Sequence, residues 1–166
     1  MMAVPASRTA GLYAAVVSIF FTLIAGLGLG HLFAATTERV VVDYRSGLAL
    51  SGYDPVAYFT NGRALVGRAD METRFAGAAW RFINPGNRQA FVDNPEIYVP
   101  MFGGYDPTAV ARGVAVPGHP EVWLIKGDRL YLFHDTGTRE AFESRPEPIL
   151  ALAGRLWPQV QNDLAQ

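Results

Sequence analysis

The hydrophobic residues of this 166-residue chain are distributed unevenly, and the longest apolar run lies near the amino terminus. No charged residue occurs between Arg8 and Glu38, and residues 12–33 are dense in aliphatic residues, phenylalanine and glycine. A helix needs about 20 apolar residues to cross a bilayer core, whereas the apolar part of a cleavable signal spans about 7 to 15. The pattern therefore predicts a transmembrane anchor over residues 11–34. A cleaved signal peptide is the alternative; a buried core helix is disfavoured because no face of the segment is polar.

The charges that flank this segment indicate its orientation. Arg8 precedes it, whereas the Glu38-Arg39 pair that follows is balanced, so the positive-inside rule leaves the amino terminus in the cytoplasm. We expect a single-pass protein of the cell inner membrane with a periplasmic or otherwise extracytoplasmic domain. Gly26 and Gly30 have the spacing that lets two transmembrane helices pack closely, so a dimer through this helix is an alternative hypothesis. The predicted parts are a cytoplasmic terminus (1–10), the anchor or uncleaved signal (11–34), a connector (35–50) and a domain (51–160).

Beyond the anchor, apolar residues come in short runs that alternate between strand and helix spacing. The clearest strand pattern is the hairpin at residues 122–133, which turns at Lys126–Arg129, and a second hairpin is predicted at residues 74–82. Helix signals are an acidic or amide residue followed by proline, or apolar residues at helical spacing. They predict short helices at 54–59, 85–92, 95–98, 107–112 and 138–143, and a last one at 148–160 interrupted at Trp157-Pro158, with short strands at 40–42 and 48–50. Short helices mixed with short strands predict an α+β domain.

One tetrapeptide, Gly-Tyr-Asp-Pro, is found twice, at residues 52–55 and 104–107. Asp before Pro starts a helix, because the carboxylate accepts hydrogen bonds from first-turn amides and proline at the first helical position needs no donor. If the two turns converge, Tyr53, Asp54, Tyr105 and Asp106 would line one pocket for a hard cation or a small proton-exchanging ligand. The alternative, which we favour, is that each aspartate only caps its own helix.

Composition excludes several classes of function. The net charge is −1 with acids and bases interspersed, so nucleic acid is not an expected partner. Without cysteine there is no disulfide, no thiolate metal site and no cysteine nucleophile. His134, next to Asp135, joins the ligand-binding candidates, but a metal site that unites it with His119 needs distant loops to meet. No nucleophile elbow or phosphate loop is present.

Many aromatic residues of the domain have strand or helix spacing. This spacing is more typical of a core than of an apolar ligand cavity. The set is Tyr58, Phe59, Phe75, Trp80, Phe82, Phe91, Tyr98, Trp123, Tyr131 and Phe133.

The ordered set of these residues resembles the YHS domain family, in its membrane-anchored or exported bacterial branch. The resemblance covers roughly residues 45–160. It is carried by Gly52-Tyr53-Asp54-Pro55-Val56-Ala57-Tyr58-Phe59, Phe75-Ala76-Gly77 with Trp80-Arg81-Phe82, Asn87, Phe91, Asn94-Pro95 with Tyr98-Val99-Pro100, Phe102-Gly103-Gly104-Tyr105, Trp123-Leu124-Ile125, Leu130-Tyr131-Leu132 and Trp157-Pro158.

The resemblance implies the fold and the export more than an activity. Family members that carry cysteine are associated with metal handling, and YHS modules occur beside metal-transport and oxygenase proteins. Here Ile83 and Asp106 stand at the positions where relatives often have cysteine. These departures remove soft ligands, so the cofactor is unknown and a hard cation is the metal class left open.

The resulting expectation is a non-enzymatic, membrane-tethered binding or accessory module for a small ligand, a metal ion or a partner protein. The membrane is an expected partner, together with a membrane protein or a metal-handling system. The alternative is a small hydrolase or oxidoreductase that uses Asp54, Asp106 and His134 in a cleft, which would require these side chains to converge.

Overall fold

The computed structural model describes residues 40–164, which fold as mixed helices and antiparallel strand pairs and confirm the α+β class. The predicted anchor and the glycines within it lie outside the described residues. Over residues 40–164 every helix is too short or too polar to cross a bilayer. The helices are α1 (Ala57–Thr60), α2 (Pro85–Asp93), α3 (Pro95–Tyr98), α4 (Pro107–Val110), α5 (Thr136–Ser144) and α6 (Pro146–Leu164), and the strands are β1 (Arg68–Phe75), β2 (Ala78–Phe82), β3 (His119–Lys126) and β4 (Arg129–Phe133).

Both predicted hairpins are confirmed, β1 with β2 and β3 with β4. Their two-residue turns, Ala76-Gly77 and Gly127-Asp128, have positive φ at both positions, as a turn that matches the twist of the strands requires. Both first strands begin earlier than predicted. Strand β1 is almost wholly exposed, so its outer half lacks the apolar alternation that marks a strand.

The predicted interruption of the last helix is wrong. Helix α6 continues through Pro158, although proline removes one backbone hydrogen bond there. Buried contacts on both sides hold the helix together, with Ala153 before the proline and Val160 after it. Helix α4 ends at Val110, two residues short of the prediction. The strands predicted at 40–42 and 48–50 form only single bridges, Val42 to Ala49 and Leu48 to Ala79.

The duplication extends far beyond the tetrapeptide. A first repeat (residues 50–98) and a second repeat (residues 102–149) each contain a 3-10 turn, a short helix, a hairpin and a two-part helix in the same order. Both 3-10 turns, Leu50–Gly52 and Met101–Gly104, contain non-helical residues at positive φ. Equivalent positions lie 52 residues apart in the tetrapeptide and 51 apart from the hairpins onward. The domain is therefore built from two copies of one supersecondary unit.

Glycines outside the tetrapeptide show how closely the copies correspond. The amide of Gly67 donates to the carbonyl of Gly52 at 2.9 Å, and the amide of Gly118 donates to the carbonyl of Gly104 at 3.0 Å. A Cβ on Gly67 would lie 2.5 Å from the Arg81 backbone, and one on Gly118 would lie 2.5 Å from the Leu132 side chain. The hairpin thus approaches the tetrapeptide turn too closely for a side chain in either repeat.

Each repeat has its own aromatic core. Phe91 on α2 packs against Trp80 and Phe82 at ring distances of 5.0 and 5.3 Å. Its counterpart Phe142 on α5 packs against Tyr131 and Phe133 at 5.3 and 5.2 Å. The larger aromatic set is therefore mainly core, as the sequence suggested.

The two repeats meet through the first helix of one and the hairpin of the other. Tyr58 is buried, its ring lies 5.2 Å from that of Trp123, and its hydroxyl donates to the carbonyl of Pro120 at 2.8 Å. Residues 40–50 also belong to this packed unit, because Val40 and Leu50 are part of the core. The chain therefore enters the described domain through a segment that is itself structural.

Candidate functional site

Asp54 is fully buried and its carboxylate accepts four hydrogen bonds. One oxygen accepts from the backbone amides of Val56 and Ala57 at 2.8 and 3.2 Å, at the start of α1. The other accepts from the backbone amide of Ile83 and the side-chain amide of Asn87, at 2.8 and 2.7 Å. Asp54 therefore caps its own helix, as we favoured, and also ties the end of β2 to helix α2, which the sequence did not indicate.

Asp106 has the equivalent position in the second repeat and is also fully buried. One oxygen accepts from the amide and the hydroxyl of Thr108, both at 2.7 Å, and the other accepts from the backbone amide of His134 at 2.9 Å. Burial alone would raise the pKa of Asp106. Hydrogen bonds from the His134 amide, the Thr138 side chain and Thr108 outweigh burial and hold the pKa below its ordinary value.

These bonds leave neither aspartate facing a cleft. Each carboxylate faces amides of its own repeat, and the bond from His134 to Asp106 comes from the backbone, not from the imidazole. The His134 ring is exposed, with Nδ1 3.4 Å from the carbonyl oxygen of Pro117. The structure therefore brings Asp106 and His134 together as neighbours in a hydrogen-bond network, without giving them a shared accessible face.

The two tyrosines of the tetrapeptides have different surroundings. The hydroxyl of Tyr53 donates to a carboxylate oxygen of Glu121 at 3.3 Å, which joins the first repeat to the start of β3. Desolvation by neighbouring groups raises the pKa of Tyr53, and the charge and hydrogen bond of Glu121 raise it further. Tyr105, by contrast, packs against Trp157 of α6 with its ring 6.0 Å away. Helix α6 thus contacts the second tetrapeptide, while the first borders an open groove.

This Tyr53 groove has a volume of about 580 Å³. It lies between the segment that enters the domain, the first tetrapeptide turn and the start of β3. Its lining residues are Val41, Val42, Asp43, Tyr44, Ser51, Tyr53, Pro117, Gly118, His119, Pro120, Glu121 and His134. Two of the five predicted site residues, Tyr53 and His134, therefore share this groove, and Asp54, Tyr105 and Asp106 do not line it.

The groove has two carboxylates, Asp43 and Glu121, and two imidazoles, His119 and His134. Among residues 40–164, no lysine or arginine lines it. Hydrogen bonds from the backbone amide and then the hydroxyl of Ser46 lower the pKa of Asp43, which keeps it ionised. Arg45 lies two residues from Asp43, and its guanidinium lies over the Tyr44 ring, 5.3 Å from the centroid; its charge also lowers the pKa of Asp43. Within the described residues, the lining of the groove therefore contains two carboxylates, two imidazoles and otherwise uncharged side chains.

Sequence reasoning missed Asp43 and Glu121, which lie in a turn and at the edge of a strand without any local signal of function. His119 is exposed and also lines the groove together with His134, and its Nδ1 accepts from the amide of Glu121 at 3.2 Å. Over the described part of the chain, no three histidine or acidic side chains are grouped as a metal ion would require.

Comparisons with protein-family models, with curated proteins and with solved structures found no match to this chain.

Proposed function

We propose that the protein is a non-enzymatic, YHS-like binding module, tethered to the inner membrane by its amino-terminal segment, that holds a small cationic ligand in the Tyr53 groove. The observation that carries the proposal is the pair of carboxylates, Asp43 and Glu121, in a groove whose lining within residues 40–164 contains no lysine or arginine. A groove of about 580 Å³ is large enough for a small organic ligand. A ligand cation would pair with Glu121 and lie against the Tyr53 ring.

The burial of both aspartates supports a binding module over a hydrolase or oxidoreductase. A general acid or base must reach a substrate proton, yet Asp54 and Asp106 are fully buried and bonded within their own repeats. The position of the groove supports the tethered role, because its wall at residues 41–44 follows the predicted anchor closely in the chain. We infer that the module presents its ligand to a membrane protein.

Isothermal titration of the full-length protein in detergent with choline and putrescine tests this proposal. Both cations are expected to bind saturably, and acetate should not compete with them. Glu121→Gln should weaken binding about tenfold, because it removes the pairing charge. Glu140→Gln makes the same charge change at an exposed position of α5 and should leave binding unaltered.

A second pair of variants distinguishes the tyrosine of the first tetrapeptide from that of the second. Tyr53→Phe removes a hydroxyl in the groove, whereas Tyr105→Phe removes the equivalent hydroxyl of the tyrosine whose ring packs against Trp157. Only the first should change the affinity for cations. Failure of both cations to bind, or equal binding by Glu121→Gln and wild type, would refute the proposed function.

A further inference from the structure

A second groove, separate from the Tyr53 groove, lies on the second repeat. We call it the arginine groove. It is a depression of about 280 Å³ between the end of α4, helix α5 and the first turns of α6. Its lining residues are Thr108, Ala111, Arg112, Ala141, Arg145, Pro148, Ile149 and Leu152. Its charged lining residues are both arginines, so its sign is opposite to that of the Tyr53 groove.

Both arginines are available to a ligand. Within residues 40–164, neither Arg112 nor Arg145 takes part in an ion pair or a side-chain hydrogen bond, and both are exposed. The nearby acids have other partners, since Glu147 pairs with Lys126 at 3.4 Å and Glu143 lies 4.0 Å from Arg139. Two guanidinium groups therefore border the groove without a counter-charge from the described part of the protein.

The floor between the arginines is apolar. Ile149 and Leu152 stand three residues apart on α6, so they share one face of the helix, and Leu152 is 41% exposed. Ala111 and Ala141 are small and leave the space open. The groove thus combines positive charge at its border with an apolar surface inside it.

Comparison of the two repeats shows how this groove arises. In the first repeat the positions equivalent to Ala111 and Ile149 are Phe59 and Tyr98, whose rings pack edge to face at 5.4 Å and fill the corresponding space. The second repeat has no ring at either position.

At the two positions that border this space, the repeats also differ in charge. Arg112 stands where the first repeat has Thr60, and Arg145 stands where it has Asn94. The same fold therefore has a filled, neutral site in one copy and an open, basic site in the other. This contrast identifies the open space as a property of the second repeat, not of the fold.

We propose that the arginine groove binds an anionic amphiphile, a carboxylate or phosphate monoester that carries a short apolar chain. The guanidinium groups of Arg112 and Arg145 would donate hydrogen bonds to the anionic head, because their planar donors match carboxylate and phosphate oxygens. The apolar chain would cover Leu152 and Ile149. The anion can come from solution or from a membrane lipid, and both sources present the same chemistry.

The test uses the full-length protein in nanodiscs of zwitterionic lipid, titrated with octanoate and hexyl phosphate. Saturable binding is expected for both, and inorganic phosphate should bind more weakly because it lacks the chain. Arg112→Gln and Arg145→Gln should each weaken binding about tenfold. Two control variants, Arg63→Gln and Arg74→Gln, each remove one positive charge at an exposed position elsewhere and should bind as wild type does.

A filling variant provides an independent readout. Ala111→Phe combined with Ile149→Tyr restores the ring pair of the first repeat while both arginines remain. It should abolish octanoate binding, with thermal unfolding verifying that the domain is intact. If this variant is unfolded, the single arginine variants still decide the question.

Nanodiscs that contain phosphatidylglycerol distinguish the two sources. If phosphatidylglycerol competes with octanoate, the head group of the lipid occupies the groove; if it does not compete, the ligand is a free anion. Either result supports the site when octanoate binding depends on the two arginines. Absence of saturable octanoate binding, or affinities unchanged by the arginine variants, would overturn the proposal.

Discussion

Replacing Asp54 by alanine removes the acceptor of four hydrogen bonds at once. The donors left behind are the amides of Val56, Ala57 and Ile83 and the side-chain amide of Asn87, at a site with no solvent exposure of the original carboxylate. A buried donor without a partner costs about 1–3 kcal/mol, and four donors are affected. Water can enter the space of the lost carboxylate, so the costs do not add fully. We expect Asp54→Ala to lower the free energy of unfolding by about 3–5 kcal/mol, well below the sum of four unpaired donors.

A double-mutant cycle isolates the contact between the two ends of the first repeat. Asn87→Ala alone should cost about 1–2 kcal/mol, and the two changes together should cost about 1 kcal/mol less than their sum. The assay is urea unfolding of a fragment spanning residues 36–166, which forms one compact unit, monitored by tryptophan fluorescence, to which the buried Trp80 contributes. A loss below about 1 kcal/mol for Asp54→Ala, or strict additivity of the two changes, would refute the role given to this carboxylate.

Three further outcomes follow from the same contacts. The pKa of Asp106 lies below the ordinary value of 3.8, so the ionised carboxylate stabilises the fold above about pH 4, and this stabilisation is lost as pH falls through the lower folded-state pKa. The urea midpoint should therefore decrease over that pH range for wild type, and decrease less for Asp106→Asn. Gly67→Ala and Gly118→Ala should each destabilise the domain by about 2 kcal/mol or more in the same assay, because neither site has room for a Cβ, and wild-type midpoints would contradict this. Pro158→Ala should raise the melting temperature, since it restores a hydrogen bond to the carbonyl of Gly154 within α6, and an unchanged or lower value would show that the proline is needed for packing.

The elements that the sequence predicted correctly are those with local signals. Each hairpin turn contains a glycine at positive φ, Gly77 or Gly127, and Asn84, which precedes Pro85, accepts from the amide of Asn87 at the start of α2. The continuity of α6 depends on contacts made by Trp157 with Phe102 and Tyr105, residues more than 50 positions away, so local proline chemistry gave the wrong boundary.

The candidate site was predicted only in part, for a similar reason. The capping role of the aspartates follows from Asp-Pro alone, but their second role depends on Ile83 and His134, which approach only after the hairpins form. Likewise, Tyr53 and Glu121 are 68 residues apart and meet at the junction of the two repeats. The two copies of the tetrapeptide are alike within the chain, whereas the groove beside one and helix α6 beside the other exist only in the folded domain.

Mapping of cation binding onto the backbone tests the location of the proposed site most directly. Putrescine would be titrated into isotopically labelled protein, with amide chemical shifts followed by nuclear magnetic resonance. The expected result is that the largest shifts lie in residues 41–44, at Tyr53 and at the amides of Gly118, His119 and Glu121, while the amides bonded to Asp54 change little. Shifts centred elsewhere, or none at saturating putrescine, would contradict binding in the Tyr53 groove.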